Sequence, residues 1–181
     1  MVIVGIGLVP SIELAQQSGL DIREGGIAVD ARTQTSDPAI FAIGDCTHHE
    51  NLFYPDRYIR LESVPNASEQ ARVAAANICG KDSLYNAVPW FWSDQFDLKL
   101  QMVGLSQGYE QVIIRGNIEE ESFIAFYLAD GMIIAADAVN RPQDFMFAKK
   151  LVSQRCTASA EQLSDSNIPL KSLLMPSPLT A

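Results

Sequence analysis

The sequence predicts an α/β segment followed by a small α+β domain with a mainly antiparallel sheet. The first part alternates short apolar runs with helical patterns, as in "MVIVGIGLVPSIELAQQSGL". The second part contains several strand patterns and then a single helix pattern. The pattern changes around residues 82–89, which predicts a segment 1–85, a domain 88–175 and a frayed tail 176–181.

The composition is that of a folded globular protein and excludes several classes of function. The chain has 181 residues, of which 48% are hydrophobic and 19% charged. A net charge of −9 argues against a nucleic-acid partner, because phosphate binding requires a basic surface. No apolar run reaches the roughly 18 residues that a membrane-spanning helix needs. The cysteines are 3 in number and have no C-x-x-C spacing, which favours free thiols in the cytoplasm.

Apolar runs and capping residues predict the elements of the first part. Ser11 and Gly19 suit the N-cap and the C-cap of a short helix between them. A long polar and aromatic loop is expected over residues 45–60. Three apolar runs predict buried strands over residues 2–6, 27–29 and 40–43.

The segment "LESVPNASEQARVAAANICGK" predicts a longer helix. Asn66 and Glu69 have the spacing of a capping box, and Gly80 is expected to end the helix. Its small side chains recur at helical spacing and suit close packing against a sheet. They are Ala67, Ala71, Ala74, Ala75 and Ile78.

Four strand patterns and one helix pattern predict the second part. Asp130-Gly131 is a strong signal for a two-residue hairpin. In "NRPQDFMFAKKLVSQR", Pro142 suits the first turn of a helix. The apolar face of this helix consists of Phe145, Ala148, Leu151 and Val152. The predicted strands are residues 98–103, 111–115, 122–128 and 132–139.

Three short features could carry chemistry, and each has a purely structural alternative. "GIGLVP" has the form G-x-G-x-x-P, so it lacks the last glycine of the dinucleotide fingerprint and could be an ordinary turn. Gly44-Asp45 follows a predicted strand, where the carboxylate could cap a turn or accept hydrogen bonds from a polyol such as the ribityl chain of a flavin. A helix beginning near Asn66 would direct backbone N–H groups at whatever lies before it, which would suit the negative charge at the N1–C2=O2 edge of a reduced flavin, or it could be an ordinary surface helix.

A metal site is the less favoured interpretation of the segment "GDCTHHE". Cys46, His48 and His49 are potential ligands. Adjacent histidines on an extended chain point in opposite directions, however, and no second pair of ligands has a usual zinc spacing. We therefore predict no metal.

Three segments together resemble one family. The chain resembles FAD-dependent, NADH-linked ferredoxin reductases in the sequence and the order of "IFAIGDC", "RLESVPNASEQARVAAANICGK" and "VPWFWSDQFDLKLQMVGLSQGYEQVIIRG". This family includes the putidaredoxin, rubredoxin and dioxygenase-component reductases. The chain resembles the C-terminal part of these enzymes as far as about Leu174. The resemblance implies an incomplete Rossmann-like segment from the FAD- and NAD-binding domains, followed by the reductase C-terminal domain.

The resemblance also implies which residues contact FAD. Gly44 and Asp45 would lie beside the ribityl and phosphate groups. Val64 would contact the pyrimidine edge of the flavin through its backbone, with Pro65 and Asn66 at the helix entry. No catalytic residue is assigned.

Three further cofactor contacts follow from the resemblance. Gly5 and Ile6 would lie near the nicotinamide of NADH. Trp92, the second tryptophan of "PWFW", would approach the flavin ring, while a core or interface aromatic is the open alternative. Ser11 replaces the asparagine that the family commonly has, which affects only a local capping contact.

The resemblance implies electron transfer from NADH through FAD to a ferredoxin-type iron–sulfur protein. A hydride would pass from NADH to flavin N5, and two single-electron steps would follow. The glycine loops for FAD and NADH are not among these residues, so we expect a fragment that is inactive alone and holds FAD weakly or not at all. Arg57, Arg60 and Arg72 are candidate contacts for an acidic ferredoxin, or simply solvated surface charges.

Two alternatives stay open. The domain 88–175 could be a stand-alone dimerisation or interface module without redox activity, and exposed apolar surface would then favour a homodimer. The missing half could also be encoded separately and bind in trans.

Overall fold

The structure is a computed structural model that describes residues 1–54 and 57–174. It divides into two compact units, Met1–Ala87 and Val88–Ala181. The tail predicted over residues 176–181 lies outside the described residues. Within the described ranges, no helix combines the length and the apolar character needed to cross a membrane.

The first unit contains a small mixed sheet and one long helix. Its elements are α1 (Glu13–Gln17), β1 (Ile22–Arg23), β2 (Gly26–Val29), a 3-10 turn (Gly44–Cys46), β3 (Thr47–Glu50), β4 (Tyr58–Ile59) and α2 (Val64–Ile78). The strand order is β1-β2-β3-β4. The central pair β2 and β3 is parallel, while the two outer pairs are antiparallel.

Two predicted strands of the first unit are absent. Residues 2–6 are exposed and belong to no strand, and in 40–43 only Phe41 pairs, through an isolated bridge to Gln34. A strand requires a neighbour for its backbone N–H and C=O groups, and no described strand lies beside either segment. The loop predicted over 45–60 was also wrong, because it contains β3 and β4.

Helix α2 begins earlier than predicted. Ser63 is the N-cap, and its hydroxyl accepts a hydrogen bond from the Asn66 N–H at 3.2 Å. Pro65 occupies the first turn, where a missing N–H costs no intrahelical bond. The capping box predicted for Asn66 and Glu69 is therefore wrong. Gly80 follows the helix with φ +77°, which confirms the predicted end.

The buried face of α2 differs from the predicted stripe. Ala75 and Ile78 are exposed, whereas the buried residues are Asn66, Gln70, Val73 and Ala74. Two of these four are polar, so part of the face is held by hydrogen bonds rather than by apolar packing. Helix α1 is shorter than expected, and its N-cap is Ile12 instead of Ser11.

The second unit is an antiparallel sheet covered by helices. Its main elements are β5 (Trp90–Gln95), β6 (Leu98–Gly104), β7 (Gln111–Asn117), β8 (Ser122–Ala129), β9 (Met132–Val139), α3 (Pro142–Ser153) and α4 (Ala160–Ser164). The strand order is β5-β6-β9-β8-β7, and every pair is antiparallel. The predicted fold class is confirmed, although β5 was missed.

The core of the second unit lies between the sheet and α3. The four apolar residues predicted for this helix face are all buried: Phe145, Ala148, Leu151 and Val152. They pack with Val103, Ile124, Phe126 and Ala136 from the middle of the sheet. At the β8–β9 turn, Asp130 and Gly131 have φ of 49° and 72°, as the predicted two-residue hairpin requires.

Candidate functional site

The candidate site is the surface that the turn Gly44–Cys46 and the first turn of α2 form together. Gly44 has φ +81°, a left-handed conformation that glycine adopts without a steric penalty. A Cβ built on Gly44 would lie 3.5 Å from the Cβ of Ala67, so the turn rests directly on the helix. Asp45 follows this contact and is exposed.

A buried hydrogen-bond network fixes the turn to α2. The Gly44 N–H donates to Gln70 Oε1 at 2.6 Å. The Thr47 hydroxyl lies 2.8 Å from the Gly44 carbonyl oxygen and 3.1 Å from the same Gln70 oxygen. Gln70 and Thr47 are both 0% exposed, so water does not compete for these bonds.

The carboxylate of Asp45 is available to a ligand. No hydrogen bond or ion pair of this side chain occurs among the described residues. Its backbone carbonyl lies 3.5 Å from Arg60 Nη1, and Arg60 forms an ion pair with Glu62 at 2.5 Å. An exposed carboxylate on a fixed backbone can accept hydrogen bonds from the hydroxyl groups of a polyol.

The start of α2 leaves one backbone donor available. Asn66 N–H donates to the Ser63 hydroxyl, and Ala67 N–H donates to the Ser63 carbonyl at 3.1 Å. Pro65 has no N–H, so the Val64 N–H is the remaining donor of this turn in the described part of the chain. Val64 is 64% exposed. This donor and the positive end of the helix dipole suit an acceptor that carries partial negative charge.

The side chain of Asn66 is committed within the protein. Its Nδ2 donates to the Leu61 carbonyl at 3.0 Å, and its Oδ1 accepts from the Tyr85 hydroxyl at 2.9 Å. Tyr85 is 2% exposed, and burial together with the nearby Glu69 charge raises the pKa of its hydroxyl to about 12. Asn66 therefore holds the helix entry in place through its side chain.

The two histidines pack in the interior of the first unit. His49 is 1% exposed, and neither ring nitrogen has a hydrogen-bond partner among the described residues. Burial, and secondarily His48, lowers the pKa of His49 to about 4. His48 Nε2 lies 3.7 Å from Glu24 Oε2. Residues 1–54 and 57–174 contain no cluster of three or more potential metal ligands.

The three arginines predicted for ferredoxin contact already have partners. Arg60 pairs with Glu62, and Arg72 forms an ion pair with Glu69. The guanidinium of Arg57 lies 5.7 Å from the centre of the Tyr54 ring. Two of the three guanidinium charges are therefore paired with carboxylates.

The other predicted contacts do not belong to this hydrogen-bond network. Gly5 and Ile6 belong to the exposed segment before α1, and nothing lies within 4 Å of a Cβ built on Gly5. Trp92 belongs to β5 of the second unit and is 39% exposed. Its ring stacks on Trp90 at 5.4 Å, and Trp90 packs on Phe145, so Trp92 extends an aromatic cluster to the surface.

Sequence reasoning missed three residues that hold the site. Ser63 could have been found from Pro65, because proline favours the first turn and a serine two residues earlier suits the N-cap. Gln70 lies three residues after Ala67 and so shares its helix face, where a polar residue indicates a specific partner. The role of Tyr85 had no local signal.

Two family models match the chain. Residues 90–174 match the model described as "Reductase C-terminal". Residues 1–71 match "Pyridine nucleotide-disulphide oxidoreductase". The first match covers nearly all described residues of the second unit, and the second covers the candidate site.

Curated relatives are similar to nearly the whole chain. Putidaredoxin reductase of Pseudomonas putida is 46% identical over 96% of this chain and 41% of its own length. A ferredoxin–NAD(P)(+) reductase of Sphingomonas sp is 45% identical over 98% of this chain and 43% of its own length. The chain thus spans less than half the length of these relatives.

Solved structures agree with the sequence comparisons. The ferredoxin reductase for the CYP199A2 system from Rhodopseudomonas palustris has a TM-score of 0.89 at 43% identity, over 94% of this chain and 42% of that one. The covalent putidaredoxin reductase–putidaredoxin complex has a TM-score of 0.86 at 46% identity, over 93% of this chain and 40% of that one.

Proposed function

Because the chain belongs to the FAD-dependent, NADH-linked ferredoxin reductases and is similar to their C-terminal part, we propose that it supplies one wall of the flavin site in such an enzyme. The complete enzyme would pass electrons from NADH through FAD to a ferredoxin-type iron–sulfur protein in the cytoplasm. The observation that carries the proposal is the exposed carboxylate of Asp45, which has no hydrogen bond or ion pair among the described residues. It lies on a turn anchored to the helix whose first residue, Val64, has an N–H without a partner in the same part of the chain.

The residues present fit a flavin. The Asp45 carboxylate would accept hydrogen bonds from ribityl hydroxyls, and Gly44 lets the turn approach the helix closely. The Val64 N–H would donate to a carbonyl oxygen at the pyrimidine edge, while Pro65 and Asn66 shape the helix entry. When bound, FAD accepts a hydride and releases its electrons singly.

The remaining assignments belong to the same proposal. Gly5 and Ile6 would line the nicotinamide site, and Trp92 would approach the flavin ring from the reductase C-terminal domain. The exposure of Ile6 and Trp92 supports this, since both present apolar surface that a ligand or another domain can cover. The solved putidaredoxin reductase–putidaredoxin complex supports a partner of the ferredoxin type.

We also propose that these 181 residues alone do not catalyse. They include neither glycine-rich fingerprint, so FAD pyrophosphate and NADH would lack their main backbone contacts. The domain 88–175 would serve as an interface, including in a homodimer, and the half-exposed Phe91 on its edge strand favours that role.

A chimera tests the proposed function. The chain would replace the matching part of Pseudomonas putida putidaredoxin reductase, and flavin content and NADH-dependent reduction of putidaredoxin would be measured. We expect a flavin-loaded, active chimera. Asp45→Ala should weaken FAD binding about tenfold, which corresponds to one hydrogen bond to a charged group. Asp97→Ala, at another exposed aspartate, should leave FAD binding unchanged.

Two results would count against the proposal. One is a folded chimera that holds no flavin. The other is an Asp45→Ala chimera with the FAD affinity of the parent.

A further inference from the structure

We infer that Gln70 is a positioning residue for the flavin site, because it sets the distance between the Asp45 carboxylate and the Val64 N–H. The inference rests on the proposed function and extends it to a buried side chain that would not itself touch the cofactor. Gln70 lies on α2, and its oxygen accepts the Gly44 N–H at 2.6 Å. This bond joins the two elements on which the proposed flavin contacts lie.

The geometry makes the side chain an effective link. Gly44 rests on Ala67, and Gln70 is the next residue along the same helix face. The turn is therefore attached to α2 at two points, one by van der Waals contact and one by a hydrogen bond. Val64 is three residues before Ala67 on that helix. A shift of the turn relative to α2 would change the spacing of Asp45 and Val64 directly.

The hydrogen bonding of Gln70 shows which of its groups holds the turn. Its oxygen must face the Gly44 N–H, so its amide orientation is determined. The Nε2 group is buried and has no partner among the described residues. An apolar side chain of the same length would remove this unpaired donor, but it would leave the buried Gly44 N–H without an acceptor. A glutamine here is explained by the need for one acceptor at this position.

Two substitutions separate the acceptor from the rest of the side chain. Gln70→Met keeps the length and removes the acceptor, whereas Gln70→Glu keeps an oxygen that can accept from Gly44. The matched control is Asn77→Leu. Asn77 lies near the other end of α2, and its amide bonds to the Arg32 and Ser83 backbones at 2.9–3.1 Å. The Asn77→Leu substitution should destabilise α2 without moving the turn Gly44–Cys46.

The experiment uses the 15N-labelled 181-residue chain and the putidaredoxin reductase chimera. The first measurement is hydrogen exchange of the Gly44 amide in the chain without ligand, followed by NMR. The second is the affinity of the chimera for FAD, followed by the quenching of flavin fluorescence. We expect Gln70→Met to speed Gly44 exchange at least about tenfold and to weaken FAD binding about tenfold. Gln70→Glu should restore Gly44 protection. Asn77→Leu should speed Gly44 exchange no more than it speeds the exchange of the other α2 amides, and it should leave the FAD affinity unchanged.

The outcomes distinguish the inference from the proposed function. If the chimera without further substitution folds but binds no FAD, the proposed function fails and the inference fails with it. If FAD binds the wild type and Gln70→Met equally well, only the inference fails. It also fails if Asn77→Leu weakens FAD binding as much as Gln70→Met does, because Gln70 would then act through stability alone.

Discussion

Acidification should destabilise the first unit through His49. In the folded protein, burial and His48 lower the pKa of this imidazole from 6.5 to about 4. The unfolded chain therefore binds a proton that the folded chain rejects, and lower pH favours unfolding. The contribution of His49 to stability is complete above pH 6.5 and disappears as the pH falls toward 4. At 1.36 kcal/mol per pKa unit, the free energy of unfolding of the first unit should fall by about 2 kcal/mol between about pH 7.5 and 5.

The assay must report on the first unit alone. Amide hydrogen exchange with mass spectrometry does so, because peptides from Met1–Ala87 and from Val88–Ala181 can be followed separately. Opening free energies would be compared at both pH values, after correction for intrinsic exchange rates. His49→Phe keeps a ring against Tyr85, whose own ring lies 5.0 Å away, but removes the titrating group. The variant should lose the 2 kcal/mol pH dependence.

Two internal comparisons make the test decisive. Both histidines of the sequence lie in the first unit, so second-unit peptides should show no histidine-dependent change. The difference between wild type and His49→Phe also cancels the titration of carboxylates. An equal slope with pH in wild type and variant would refute the reasoning, as it would mean that the folded imidazole accepts the proton freely.

Three further predictions concern the second unit. Gly104→Ala should cost about 4 kcal/mol or more, or prevent folding, because the new Cβ would lie 2.2 Å from the Ile134 carbonyl oxygen at φ +78°. Urea denaturation followed by tryptophan fluorescence measures this, and a loss below about 1 kcal/mol would contradict it. Arg115→Met should cost about 3 kcal/mol in the same assay, since this buried guanidinium donates to four backbone carbonyls at 2.6–3.4 Å; an unchanged midpoint would show that the bonds contribute nothing. Tyr127→Phe should raise the pKa of Asp137, because burial already raises it and the 2.7 Å hydrogen bond from the Tyr127 hydroxyl opposes that shift. NMR titration of the Asp137 carboxyl would show an unchanged or lower pKa if this account is wrong.

Three strands of the second unit were predictable because their pairing is local. The strands β7, β8 and β9 each pair with a chain neighbour, and the Asp130-Gly131 hairpin fixes one register. The pairing of β6 with β9 is non-local. The strand β5 was missed because Ser93, Asp94 and Gln95 interrupt its apolar pattern. Its pairing with β6 compensates for that weak pattern.

The first unit was less predictable because its pairing is non-local. The apolar runs at 2–6 and 40–43 have strand composition, but composition does not supply the neighbour that a strand requires. The candidate site was limited in the same way, because the sequence does not show which distant residues become neighbours. Gly44, Asp45 and Val64 were predicted from the sequence of their motifs, whereas the role of Gln70 becomes visible only once the fold brings it to the Gly44 N–H.

The central claim is that this chain forms one wall of a flavin site and requires another wall to retain FAD. The most direct test is the visible absorption spectrum of the desalted protein after incubation with FAD, compared with that of the putidaredoxin reductase chimera. We predict no retained flavin band for the 181-residue chain and a stoichiometric band for the chimera. A stoichiometric flavin band on the chain alone, or a folded chimera without one, would contradict the account.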